Sequence, residues 1–404
     1  MKQKLNSQNI IFLAIVTLFW FAQYVYIPYQ TTYLTSIGTA GSFVGIVVGA
    51  YGVSQLVLRL PVGISADRAG RHRPFIMAGA AASGLASLIR FAVCDGRGFM
   101  AANLLSGFAS AMWISFMVFY TGKFAAGEQQ KATSRIVMFN NLGMLLGFAA
   151  STIFYSRIGM RNLCLFSVAA GLAAFVLSIF LKSEDGTGRQ KQGSVKREDG
   201  RKTRMPVREL LRVCTGKRII VFSLIALIQQ GIQLTTAMSF TNQILKDCGA
   251  SDGTVGIASI VYMISAVCFS ALASSTFCEK RGPRFWIPAV LGGLMIYCIL
   301  VPAVGSVPVI LALQLLPGMA TGILFSYATS EAMKEVPKEK KSTAMGFFQA
   351  VYAVGMTTFP VFTGSLVSAA GMQAGYLLLA GIAAAGIVIA KIYYARRNQS
   401  EKNR

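Results

Sequence analysis

Residues Gly63 to Arg73 read Gly-Ile-Ser-Ala-Asp-Arg-Ala-Gly-Arg-His-Arg, and long apolar runs flank them on both sides. Charges this dense do not lie in hydrocarbon, where each costs several kcal/mol. The stretch therefore reads as a short solvated hairpin between two membrane helices. Composition agrees: 54% of the residues are hydrophobic, 13% are charged, and the mean hydropathy is +0.57. So much apolar surface excludes a water-soluble globule of 404 residues. The net charge of +23 would suggest nucleic acid in a soluble chain. Here its placement along the sequence sets topology instead, and no nucleic-acid role is expected.

About 20 apolar residues cross a bilayer as a helix. By that measure spans are expected near residues 10–30, 41–62, 74–94, 98–122, 134–156 and 162–181, and again near 218–245, 253–277, 284–304, 307–332, 342–367 and 373–394. The first run is too long for a signal-peptide core, has no small-residue cleavage site, and is followed by many runs like it. Alternate connections hold 32 of the 38 Lys and Arg residues. The opposite connections hold only Arg90, Arg97, Arg157, Arg161 and Lys246, with Arg59 assigned to the inner end of the second span. The positive-inside rule then places both termini and the central basic segment in the cytoplasm, in a multi-pass protein of the cell membrane.

The chain also repeats itself. Asn103-Leu-Leu-Ser-Gly-Phe-Ala-Ser-Ala-Met-Trp-Ile-Ser-Phe answers Gln314-Leu-Leu-Pro-Gly-Met-Ala-Thr-Gly-Ile-Leu-Phe-Ser-Tyr at a shift of 211. The same shift carries Val44-Gly45-Ile46, Tyr51 and Ser54 onto Val255-Gly256-Ile257, Tyr262 and Ser265. A shift of 212 carries Gly70 onto Gly282, Asp67 onto Glu279, and Gly143-Met144 onto Gly355-Met356. The domain reading is a six-helix bundle over 1–181, a cytoplasmic linker over 182–217, a second bundle over 218–395 and a tail over 396–404. Six spans per repeat make the halves parallel, related by an axis along the membrane normal. The linker, Lys182 to Arg204, is polar and without apolar periodicity, as a flexible segment would be. Met205 to Arg212 reads as a short interfacial helix with Pro206 in its first turn.

The pattern of Gly63, Asp67, Arg68, Gly70, Arg71 and Arg73 resembles the loop signature between the second and third helices of the major facilitator superfamily of secondary transporters. His72 takes a place where Lys or Arg is also common. The resemblance implies an all-α integral membrane fold of twelve helices in two parallel halves, with a solute site near the midplane between them. It implies transport of a small organic solute by alternating access, ion-coupled, with protons as the candidate coupling ion, export slightly favoured, and a monomer in the bilayer. It also implies that the loop acid caps a neighbouring helix end and pairs with bases when the inner side is shut, a role for Asp67 with Arg71. Glu279, with Gly282 and Arg284, would form a weaker counterpart. Gly63, Asp67, Arg68, Gly70, Arg71, Arg73 and Glu279 are accordingly the expected gating residues.

Polarity along the spans gives the candidate solute ligands, because polar groups in a span face protein or water. Gln229, Gln233 and Thr236 recur at helical spacing in the seventh span, with Gln230 beside them. Asn103, Ser106 and Ser110 do so in the fourth span and Gln314 with Thr321 in the tenth; Gln23, Tyr24 and Gln30 stud the first. The third, sixth, ninth and twelfth spans are nearly featureless. The resemblance places the first, fourth, seventh and tenth helices around the cavity, which agrees. The expected solute-binding set is Gln23, Tyr24, Asn103, Gln229, Gln233, Gln314, Gln349 and Tyr352. For each residue hydrogen bonding between helices is the structural alternative. Gly41, Gly45 and Gly49 are expected to let backbones approach closely. Asn140, Asn141, Gln349 and Tyr352 are candidates for the seam between the halves.

No energy-coupling residue stands out. The Arg, Gln and Gly that proton-coupled drug exporters of the superfamily often carry in the fourth helix correspond here to Asn103, Ser106 and Gly107. The Gly-Pro pair of their fifth helix corresponds to Gly147 and Phe148. With one histidine and no acid at depth apart from Glu331, the cavity reads as neutral and hydrogen-bonding. That suits an uncharged or amphipathic solute. Seven cysteines without metal or redox spacing, and no His or paired-acid cluster at depth, give no reason to expect a metal site, a cofactor or an enzyme. The alternatives are a proton-coupled uptake symporter and, in another class, a transport-silent membrane sensor on the same fold, for which a large extra domain or long signalling tail would be expected.

Overall fold

A computed structural model describes residues 7–182 and 205–402. The linker reading over 183–204, the basic lead before Ser7 and the last two residues of the tail lie outside the described residues. Among those described the structure is helical, without strands. Eleven helical stretches are long and apolar enough to cross a membrane: Ser7–Ser36, Phe43–Ala69, Arg73–Ala92, Gly96–Thr121, Gln129–Ile179, Lys217–Asp247, Gly253–Ala273, Thr276–Ala303, Val307–Met333, Lys338–Ala370 and Met372–Arg397. The 51-residue stretch Gln129–Ile179 would be about 77 Å long if straight, well over twice the ~30 Å of hydrocarbon. It turns at Gly159, where φ is 72° and ψ 172°. It therefore supplies the fifth and sixth spans, and the twelve expected helices are all present.

Backbone geometry carries the repeat. All six positive-φ residues among those described are glycines: Gly38, Gly70, Gly159, Gly249, Gly282 and Gly371. They fall into three pairs, Gly38 with Gly249 at a shift of 211, and Gly70 with Gly282 and Gly159 with Gly371 at 212. A left-handed turn strains any residue with a Cβ. The chain thus reverses direction at matching places in each half. Side-chain contacts repeat as well. Ser54 donates to the Leu104 carbonyl and Ser265 to the Leu315 carbonyl, each at 2.8 Å. A Cβ on Gly107 would lie 2.6 Å from the Tyr51 carbonyl oxygen, and one on Gly318 2.7 Å from that of Tyr262. The third, sixth, ninth and twelfth spans turn Leu88, Leu172, Ile299 and Val388 outward, as lipid-facing helices do.

Three expectations need correction. The solvated loop expected over Gly63–Arg73 shrinks to Gly70–His72, because the second span stays helical through Ala69 and its last turn docks on the other half. Gly45 and Gly49 have no atom within 4 Å of where a Cβ would stand, so they mediate no close approach. The close approach lies nearer the basic end, where a Cβ on Gly63 would stand 2.4 Å from the Ser342 carbonyl oxygen and one on Gly346 2.7 Å from that of Arg59. Arg90, assigned from sequence to a connecting loop, is fully buried. The short helix expected after the linker is present at Val207–Leu211, with Pro206 before its first turn, Leu210 buried and Leu211 exposed.

Candidate functional site

Helical regularity breaks in the four spans read as cavity-lining. The first breaks after Tyr24, the fourth at Met112, and the seventh and tenth contain π-helical turns at Thr236–Phe240 and Ala320–Leu324. Such turns cost backbone hydrogen bonds and gather at functional sites. Beside these breaks the structure builds two matching hydrogen-bonded triads. In the first half, Gln23 Nε2 donates to Ser110 Oγ at 3.3 Å and to the Ser106 carbonyl at 3.1 Å, while the Tyr51 hydroxyl lies 2.7 Å from Ser110 Oγ. In the second, Thr321 Oγ1 donates to Gln233 Oε1 at 3.0 Å and lies 2.9 Å from the Tyr262 hydroxyl. The residues correspond across the repeat: Tyr51 to Tyr262 and Ser110 to Thr321 at 211, and Gln23 to Gln233 at 210. Gln229 adds a donor to Gln233 Oε1 at 2.8 Å, and its own Oε1 is buried without a partner.

Between the triads stands a set of tyrosines. Tyr24 is half-buried against Trp20 and Phe148, with ring centroids at 5.6 and 5.9 Å. Its hydroxyl is within electrostatic reach of Tyr51, Tyr262 and Tyr352. Tyr352 packs edge-on to Phe325 and Phe348 and carries the Arg59 guanidinium 4.5 Å above its ring. Arg59 is 3% exposed; its Nη1 donates to the Gln349 carbonyl of the opposite half at 2.6 Å and its Nη2 to Gln55 Oε1. Gln349, by its carbonyl, and Tyr352, by its ring, thus meet the first half through Arg59, while Gln23 bonds within the first half and Gln229 and Gln233 within the second.

Asn103 and Gln314 stand elsewhere, inside their own bundles. Asn103 donates to the Val47 carbonyl at 2.7 Å and accepts from Arg90 at 2.7 Å. Arg90 also donates to the Tyr26 hydroxyl and Ser106 Oγ, each at 2.8 Å, and lies 3.7 Å above the Tyr26 ring. Gln314 accepts from the Tyr297 hydroxyl at 3.3 Å, which in turn meets Thr241, itself bonded to Tyr376. Among the described residues neither Arg59 nor Arg90 has an acidic partner. The expected neutral interior therefore holds two buried cations. Sequence reasoning missed Arg59 and Arg90 because an arginine near a span end reads as topogenic. Tyr51, Tyr262, Ser110 and Thr321 also stand outside the expected set, although the repeat aligns them in pairs and so holds the signal.

The halves are fastened at the basic end. Asp67 Oδ1 accepts from the Ser342 backbone N–H at 2.9 Å and Oδ2 from that of Thr343 at 2.6 Å, at the first turn of the eleventh span. A carboxylate at a helix N-terminus is favoured by the exposed N–H groups and the helix dipole. Glu279 meets Lys131 of the fifth span at 2.8 Å. Ser330 bonds Gln130, and Asn141 donates to Ser270 Oγ at 3.0 Å. The expected pairing of Asp67 with Arg71 does not form, because both carboxylate oxygens are turned to the eleventh span. Arg68 and Arg71 are exposed, and Arg73 instead donates to the Ile179 carbonyl at the end of the sixth span, at 2.5 Å. Glu331 does not sit in the cavity: it pairs with Arg218, and its second oxygen is 3.5 Å from Lys334. Among the described residues no group of His, Cys, Asp or Glu could hold a metal.

A family model described as the Major Facilitator Superfamily matches residues 12–245 and again 223–404. The oxalate:formate antiporter of Oxalobacter formigenes is 33% identical over 103 residues, 25% of this chain and 24% of that one. Multidrug resistance protein 2 of Bacillus subtilis (strain 168) is 26% identical over 188 residues, 46% of each chain. The chain thus spans about a quarter and about half the length of these curated relatives. Among solved structures, the human organic anion transporter MFSD10 (TETRAN) superposes with a TM-score of 0.74 at 16% identity, covering 95% of this chain and 98% of that one. The transporter FucP in its outward conformation gives 0.75 at 14% identity, covering 96% and 99%. At these identities the likeness is one of fold.

Proposed function

The chain belongs to the Major Facilitator Superfamily, and on that premise we propose that it carries a small organic solute across the cell membrane by alternating access, as an ion-coupled secondary transporter that works as an exporter. The observation that carries this reading is the pair of matching triads, Gln23–Ser110–Tyr51 and Gln233–Thr321–Tyr262, on either side of a seam fastened at one end. Equivalent groups from two parallel repeats offer a solute donors and acceptors from both sides near the midplane. In this reading residues 1–181 and 218–395 are the two moving bundles and the chain works as a monomer in the bilayer.

The sequence assigns 32 of the 38 basic residues to alternate connections, which supports a cytoplasmic placement of that side and of both termini, and hence an inward-closed reading of this state. Gly63, Asp67 and Glu279 hold that closure. Arg68, Gly70, Arg71 and Arg73 shape and anchor the turn beside it. The solute set is Gln23, Tyr24, Gln229, Gln233, Gln349 and Tyr352, with Asn103 and Gln314 stiffening the bundles behind it. Protons are the proposed coupling ion, since a similar fold occurs in the E. coli fucose:proton symporter, FucP. Uptake by proteoliposomes across a panel of solutes, with and without an imposed pH gradient, tests the reading. Accumulation of one solute that follows the gradient is expected. No transport by monodisperse, folded protein would overturn it.

A further inference from the structure

We propose that the solute is a small organic carboxylate and that Arg59 binds its anionic group. The proposal rests on the transport reading and names the substrate class for the same seam. Arg59 lies ten residues, about 15 Å, from the basic end of a helix that runs from Gly41 to Ala69, inside the second span. It is 3% exposed, and its partners are all neutral: the Gln349 carbonyl, Gln55 Oε1 and the face of Tyr352. Its Nε is buried without an acceptor. A buried cation without a counter-charge is strongly unfavourable, and a planar guanidinium matches a carboxylate in geometry and charge.

Among the described residues the protein supplies no such partner. Asp67 sits two helical turns nearer the basic end, and both of its oxygens are committed to backbone N–H groups of the eleventh span. Arg90 is the other candidate and its Nε likewise lacks an acceptor, but the Tyr26 hydroxyl, Asn103, Ser106 and Ser87 take its other donors within the first bundle. Of these two arginines, Arg59 is the one bonded across the seam. Its ring partner Tyr352 belongs to the tyrosine set with Tyr24, and Arg59 is within electrostatic reach of Tyr51. A carboxylate lodged against Nε would have the hydroxyls of these tyrosines and the amides of Gln23 and Gln233 around its organic part. Arg59 would then link occupancy to closure, since the same guanidinium bonds the Gln349 carbonyl across the seam.

The test measures thermal unfolding of the purified full chain in detergent with benzoate, benzamide, benzylamine, succinate and succinamide. Binding to the folded state raises the unfolding temperature. At least one carboxylate should raise it by about 3 °C or more, while its amide and the amine leave it unchanged. Arg59→Gln should abolish that shift, Arg59→Lys should keep part of it, and the exposed-site control Arg157→Gln should keep all of it. Arg59→Gln protein that is monodisperse but still stabilised by the carboxylate overturns the proposal. So does stabilisation by an amide or the amine alone, or none by either carboxylate. Proteoliposome uptake of the same compounds separates the two readings. Transport of benzamide or benzylamine overturns the anion assignment and leaves the transporter standing, whereas transport of no solute at all removes both.

Discussion

Two side chains show how far a single residue can be read. His72 lies in the turn between the second and third spans, 3.4 Å from Ser115 Oγ, and burial pushes its imidazole down to about 4. An unfolded histidine takes its proton near 6.5. Between those values the unfolded chain binds the extra proton, so stability falls as pH drops through that window and is fully present above it. Unfolding temperatures from pH 7.5 to 4 should therefore fall more steeply for the wild type than for His72→Gln; parallel curves would mean the ring is solvated. At Arg90 the four-acceptor cage and the contact on Tyr26 need a planar, five-donor group. Arg90→Lys should cost about 1–3 kcal/mol through lost charge-assisted hydrogen bonds, read as a lower unfolding temperature. An unchanged temperature would show that the cage does not bear on stability. The sequence hid Arg90 because it stands two residues from the end of its helix, and span ends are the least certain part of a hydropathy reading.

At the scale of the helix, the second and eleventh spans carry most of the fastening. Gly63 lets them meet, and Asp67 then caps the eleventh. Asp67→Asn keeps one acceptor oxygen but loses the charge, weakening the closed basic end by about 2 kcal/mol. The variant should insert normally and turn over more slowly. In a cysteine-free background, a cysteine at Ser342 should label faster with a membrane-impermeant maleimide applied from the basic side. Unchanged labelling and transport would remove the latch role. Gly63→Val should have a similar effect by sterics alone, since even a Cβ would stand 2.4 Å from the Ser342 carbonyl oxygen. Periodicity located every helix, because hydrocarbon thickness fixes length and polarity fixes ends. It misjudged the second, extending the loop back to Gly63, since charges in a last helical turn that docks on a partner look like loop charges. The π-helical turns at Thr236–Phe240 and Ala320–Leu324 left no mark in the sequence, for they follow from packing rather than from residue type.

Across the whole molecule, the doubled chain was the most legible feature, because both copies reverse at the same glycines and hold equivalent triads. Which polar residues meet at the seam was less legible. Asn103 and Gln314 have the same helical spacing as true seam residues, and only the rotation of each helix sends them into the bundle interior. Tags on the first and last described residues should both be reached only from the cytoplasmic side; a tag reached from outside would invert the closed state assigned here. The two edges of the seam are also unequally fastened. On one, a carboxylate grips paired amide hydrogens; on the other, Lys131 and Glu279 meet with side chains 36% and 49% exposed. Solvent-exposed ion pairs weaken as electrolyte rises, and backbone caps far less. Release should then begin where the fifth and eighth helices meet, which keep only the neutral Asn141–Ser270 hydrogen bond once the ion pair is screened, with the second and eleventh as the pivot, so that ionic strength shifts how readily the carrier begins to turn inside out.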